Sequence, residues 1–127
     1  MGRYYNGDIE GKFWFGVQDS DDASYFGVEG ESPPEYLNYH FHKEDLEKVL
    51  DGVYNCECVL GENLEKLNRF FNEDGNNGYN NEMLMEKYNW TSKETTANIE
   101  WYARLRLGEQ IRDCINKTGQ CNFRAEL

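Results

Sequence analysis

His40-Phe-His42 is the one histidine pair in the chain, and its spacing is the first feature capable of chemistry. On an extended strand, side chains two positions apart share a face and lie about 7 Å apart. Two imidazoles placed this way can supply two ligands to one metal ion, or a base and an electrophile. A zinc site needs a third ligand, and only carboxylates such as Glu10, Glu44 or Glu126 are available for it. A small metal-dependent hydrolase using His40 and His42, with zinc, is therefore one reading of the chain; without that site no cofactor is expected.

The four cysteines offer less. Cys56 and Cys58 stand two apart on an expected helix, so they point to different sides and neither bridge each other nor form a zinc pair. Cys121 beside a histidine would imitate a thiol enzyme, but the alternation around it turns it inward. No nucleophile elbow, P-loop, dinucleotide glycine set or H-E-x-x-H occurs. An EF-hand register begun at Asp74 puts Tyr79 where glycine is needed and Met85 where glutamate is needed. The Asn-rich run after Asp74 reads as a connector.

Charge points to a different kind of function. Lys and Arg number 13 against 24 Asp and Glu, a net charge of −11. Such a balance repels nucleic acid and anionic membranes and favours a basic protein partner, for instance one that itself binds nucleic acid. Five carboxylates, Asp19, Asp21, Asp22, Glu29 and Glu31, gather without one Lys or Arg among them. Trp14 and Tyr25 would add the desolvated anchors that charge alone lacks. The favoured expectation is a small, acidic, non-enzymatic binding or inhibitory protein. A structural subunit of a larger complex is a further alternative.

These residues need a scaffold, and the run from Lys43 to Asp74 is its centre. Leu46, Leu50, Val53, Leu60, Leu64, Leu67 and Phe71 follow a four-then-three spacing, interrupted only at Glu57, that predicts an inward stripe on a helix. Gly52 and Gly61 each cost up to ~1 kcal/mol in a helix interior, so a bent or broken helix is expected, with the break at Gly61. Upstream, Asn6-Gly7 predicts a type I′ turn. Lys12 to Gln18 reads as a strand with Phe13, Phe15 and Val17 inward and Lys12, Trp14 and Gln18 outward. Asp19 to Gly27 reads as one or two capped helical turns, and Glu35 to His42 as a second strand.

Downstream, Asn81 to Tyr88 suffices for a short helix. Thr91-Ser-Lys-Glu94 is a capping box opening a helix that Gly119 stops. Gln120 to Leu127 alternates again, with Cys121, Phe123 and Ala125 inward. The sum is one α+β domain over 1–127. A small antiparallel sheet, made of N-terminal strands plus the C-terminal strand, packs on three or four helices. A monomer is favoured, with a dimer through the helical stripe as the alternative. No apolar run approaches the ~20 residues that span a bilayer, and no leader opens the chain, so a cytoplasmic protein with reduced thiols is expected. In that setting the sequons at Asn89 and Asn116 are chance matches.

Overall fold

The computed structural model describes residues 4–13, 18, 21–28, 36–73 and 81–126. Strand β1 (Tyr4–Gly7) pairs with β2 (Gly11–Lys12) on one edge and with β4 (Gln120–Glu126) on the other. Strand β3 (Tyr36–His42) lies along the far side of β4, with Tyr36 opposite Glu126 and His42 opposite Gln120. All pairings are antiparallel and the order is β2-β1-β4-β3, so the C-terminal strand is interior to the sheet. Among the described residues there are four α-helices, α1 (Leu46–Leu60), α2 (Glu62–Asn68), α3 (Asn81–Tyr88) and α4 (Ser92–Thr118); α4 lies against β4 and β3, and α1, α2 and α3 pack on α4. This is the α+β arrangement that the patterning predicts.

The alternation in the strands decides which face meets the helices. Tyr39, Phe41, Cys121, Phe123 and Ala125 are buried, while His40, His42, Arg124 and Glu126 are exposed. Tyr39 and Phe41 both stack on Phe123, with ring centroids 5.2 and 6.2 Å away. Tyr5 adds an edge contact to Phe123 at 6.1 Å and a tilted one to Phe13 at 5.0 Å. Aromatic pairs of this kind add to the burial of their area.

Two local expectations are corrected. The N-terminal hairpin turns at Asp8 to Glu10, while Asn6 and Gly7 lie within β1, opposite Arg124 and Phe123. Gly7 has φ +142°, and a Cβ there would come within 2.5 Å of the Asn122 carbonyl oxygen. Glycine serves a close approach of two strands at this point, and no turn. Gln18, expected on the outer face, is buried and donates to the Ala103 carbonyl at 3.4 Å. The strand expected beyond Phe13, including Phe15 and Val17, falls outside the described residues, as does the Asn-rich connector at 75–78.

The capping box holds α4 as expected. The Glu94 N–H donates to Thr91 Oγ1 at 3.1 Å, and the Thr91 N–H donates to Glu94 Oε1 at 3.2 Å. Gly119, with φ +85°, ends the helix. The 43–74 run does break at Gly61, where φ is +54°, and α2 runs on into a π-helical turn at Arg69–Glu73.

The inward stripe of α1 differs from the expected one. Val49, Gly52, Val53, Cys56 and Leu60 are buried, whereas Leu50 is 45% exposed. The cause is Phe26, the last residue of a 3-10 turn over Asp22–Phe26. One edge of its buried ring enters the notch left by Gly52 on α1 and Gly108 on α4. A Cβ on Gly52 would stand 2.6 Å from Phe26 Cδ1, and one on Gly108 would meet the same edge. Neither glycine interrupts its helix. Both make the space in which two helices and an aromatic ring close-pack.

Candidate functional site

Of the acidic cluster and its anchors, Asp21, Asp22 and Tyr25 are described; Trp14, Asp19, Glu29 and Glu31 lie outside the described residues. Asp21 is exposed. Asp22 is not a docking carboxylate: its side chain is 5% exposed and accepts from Arg104 Nη2 at 3.3 Å. The placement follows from the 3-10 turn, which tips Asp22 inward with Ala23 and Phe26. Arg104 on α4 also donates to Glu100 at 3.2 Å. Its guanidinium lies 4.4 Å from the Trp101 ring centroid and 5.4 Å from that of Tyr25. Tyr25, 38% exposed, thus tiles a cation–π stack, and burial with the neighbouring Cys56 raises its hydroxyl pKa. This cluster ties the 3-10 turn to α4.

A second arginine on the same helix ties it to α2. Arg106 and Tyr102 both donate to Asn68 Oδ1, each at 2.9 Å, and Phe71 stacks on Tyr102 at 5.5 Å. Burial raises the Tyr102 pKa. Arg104 and Arg106, two positions apart on one helix, therefore hold opposite flanks of the helical layer.

The histidines do share the outer face of the sheet, as the strand reading requires. His40 Nδ1 lies 3.0 Å from Asn122 Oδ1, and the His42 backbone N–H donates to Asp45 Oδ2 at 2.8 Å. Asp45 thereby caps the entry to the helical layer. Among the described residues no group of three His, Cys, Asp or Glu side chains converges as a metal site requires. Glu10, Glu44 and Glu126 are all exposed and add no third ligand to such a group.

What sequence reasoning missed is an exposed apolar ridge on α1. Leu46, Leu50, Tyr54 and Cys58 recur every four residues and so line one ridge of the helix. Leu46 is half-buried at the top, Leu50 is 45% exposed and Tyr54 is 66% exposed. The neighbouring Cys58 thiol raises the Tyr54 hydroxyl pKa. Exposed Glu47, Asp51 and Glu57 flank this ridge. Lys48 does not: its stem packs against Gly27, where an added Cβ would come within 2.7 Å of it. The signal was present in the sequence as a second apolar series offset from the buried one. It was hidden because the buried series runs through Gly52 and Cys56.

Among the described residues no helix is long and apolar enough to cross a membrane. Comparison with protein-family models, curated proteins and solved structures finds no match to this chain.

Proposed function

We propose that this is a small acidic, non-enzymatic binding protein that docks on, and thereby blocks, a basic surface of a protein partner. A surface that normally meets nucleic acid phosphates has the required charge. The observation that carries the reading is the ridge of Leu50 and Tyr54 on α1, exposed and flanked by Glu47, Asp51 and Glu57. Apolar side chains at the centre of a contact supply affinity, and a charged rim supplies partner choice and association rate. Over 46–68 the chain carries Glu47, Asp51, Glu57, Glu62 and Glu65 against Lys48 and Lys66, so the local field has the sign of the net −11. A ridge with a spacing of four is also the shape that fits the groove of a partner helix.

The test uses two baits, the natural chain and a Leu50→Ser/Tyr54→Ser variant, on extract from the native source. Proteins retained by the first and lost from the second are purified and measured directly. The expected partner is basic. Raising salt or neutralising Glu47, Asp51 and Glu57 together should slow association, while Tyr54→Ala should chiefly speed dissociation. A purified partner that is acidic, or whose binding ignores salt and the triple neutralisation, sinks the proposal. Stoichiometric zinc lost on replacing His40 and His42 would move the reading to a metal enzyme.

A further inference from the structure

Cys114 and Cys121 stand seven positions apart, one on the last turns of α4 and the other in β4. The reversal at Gly119 folds the strand back against the helix and sets the Cys114 thiol against the Gln120–Cys121 peptide, close enough to raise the Cys121 pKa. The geometry is fixed from several directions. The Thr118 hydroxyl lies 3.0 Å from the Cys114 carbonyl and 2.8 Å from the Gln120 carbonyl, and Cys114 Sγ sits 3.3 Å from that same Gln120 oxygen. Cys121 is fully buried, whereas Cys114 is half-buried and lines a cleft of about 510 Å³ between the β1–β2 turn and α4. Asp8, Glu10 and Asp113 also line this cleft, against one cation, Lys117. All four cysteines are free thiols.

We propose that Cys114 and Cys121 are a redox-modifiable dithiol, in which Cys114 reacts first with a cationic small-molecule disulfide entering the cleft and Cys121 then closes an intrachain bridge. In the first step the Cys114 thiolate attacks one sulfur of the small disulfide. A mixed disulfide forms and one small thiolate leaves and takes up a proton. In the second step Cys121 attacks Cys114 Sγ, and its proton passes to the departing second small thiolate, which leaves as a thiol. Two protein thiols and one small disulfide become one protein disulfide and two small thiols. The protein loses two electrons and the small disulfide gains them. Burial raises the Cys121 pKa, and Cys121 has no surface of its own, which assigns Cys114 the role of entry thiol. The three carboxylates of the cleft select for positive charge on the disulfide.

The experiment uses the full chain in a Cys58→Ser background, which removes the one exposed thiol. The folded protein is treated with cystamine, quenched with acid at intervals, and followed by intact mass and peptide mapping. The expected course is an early cysteamine adduct on Cys114, followed by loss of two hydrogens relative to the starting protein and a Cys114–Cys121 cross-link. Cys121→Ser should stop at the Cys114 adduct, and Cys114→Ser should take up no cysteamine under native conditions. Should Cys121→Ser fail to fold, the acid-quenched early time points of the parent carry the same information. Oxidised glutathione, an anionic disulfide, should react at least tenfold more slowly at low salt. A Cys114 adduct that persists without closing, a first adduct on Cys121, or equal rates for the two disulfides would overturn the proposal.

Discussion

Gly108→Ala sets two effects of opposite sign against each other. Alanine is favoured over glycine in a helix interior by about 1 kcal/mol, which alone would stabilise α4. The new methyl, however, would press on the edge of the Phe26 ring. That ring is fully buried, and it cannot withdraw along α1 because Gly52 already holds the same edge from the other helix. Overpacking of a close-packed core costs roughly 1–3 kcal/mol, and a contact this close belongs in the upper part of that range. The expected net effect is a destabilisation of about 1–2 kcal/mol, read as a lower urea midpoint with an unchanged slope. The decisive control is the same substitution in a Phe26→Ala background. Phe26→Ala alone should cost about 3–5 kcal/mol. With the ring gone, Gly108→Ala should become stabilising by about 1 kcal/mol. The sign of the alanine effect thus depends on Phe26, and the cycle measures that coupling. If Gly108→Ala stabilises the natural chain, or changes both backgrounds equally, the ring does not occupy the notch.

Three further outcomes are expected. Leu67→Ala should cost about 2–5 kcal/mol, while Leu50→Ala should change stability by less than about 0.5 kcal/mol; equal losses in chemical denaturation would put Leu50 in the core. Arg104→Ala should cost about 3 kcal/mol or more, because it leaves the buried Asp22 carboxylate without its guanidinium; a melting temperature unchanged from the natural chain would show that the pair is dispensable. Stability should fall above pH 9, because burial pushes the Cys56 thiol from 9.0 up to about 12. Below that window the thiol is protonated both folded and unfolded, and stability is at its full value. Inside the window only the unfolded chain ionises, so each rise in pH favours unfolding. Buried Tyr5, Tyr39 and Tyr102, whose pKa values are also raised, act in the same direction. A urea midpoint that stays flat to pH 11 would refute this linkage.

Local physics made much of the fold legible in the sequence. Thr91 and Glu94 announce the start of α4 because a capping box satisfies its own backbone donors without help from the rest of the chain. Gly119 and Gly61 mark helix ends for an equally local reason, since positive φ is accessible there at little cost. The alternation of Cys121, Phe123 and Ala125 reveals an inward strand face because a pleated strand turns successive side chains to opposite sides. Each of these is decided within a few residues.

Tertiary structure decided the rest. Two apolar series share α1, one through Leu46, Leu50 and Tyr54, the other through Val49, Val53, Cys56 and Leu60. Spacing alone joins Leu46 and Leu50 of the first to Val53 and Leu60 of the second in one stripe. What selects the second is Phe26, distant in sequence, which needs glycine at both 52 and 108 to fit. The same long-range choice leaves the leucine–tyrosine ridge in solvent among carboxylates, and so creates the surface on which the functional proposal rests. Asp22 tells the same story for charge. Among Asp19, Asp21, Glu29 and Glu31 it reads as one more solvated carboxylate, and only Arg104, 82 positions away, makes it a buried structural anion. Periodicity and capping are properties of neighbours in the chain. Which face is covered, and which charge is paired, depends on partners that only folding brings together.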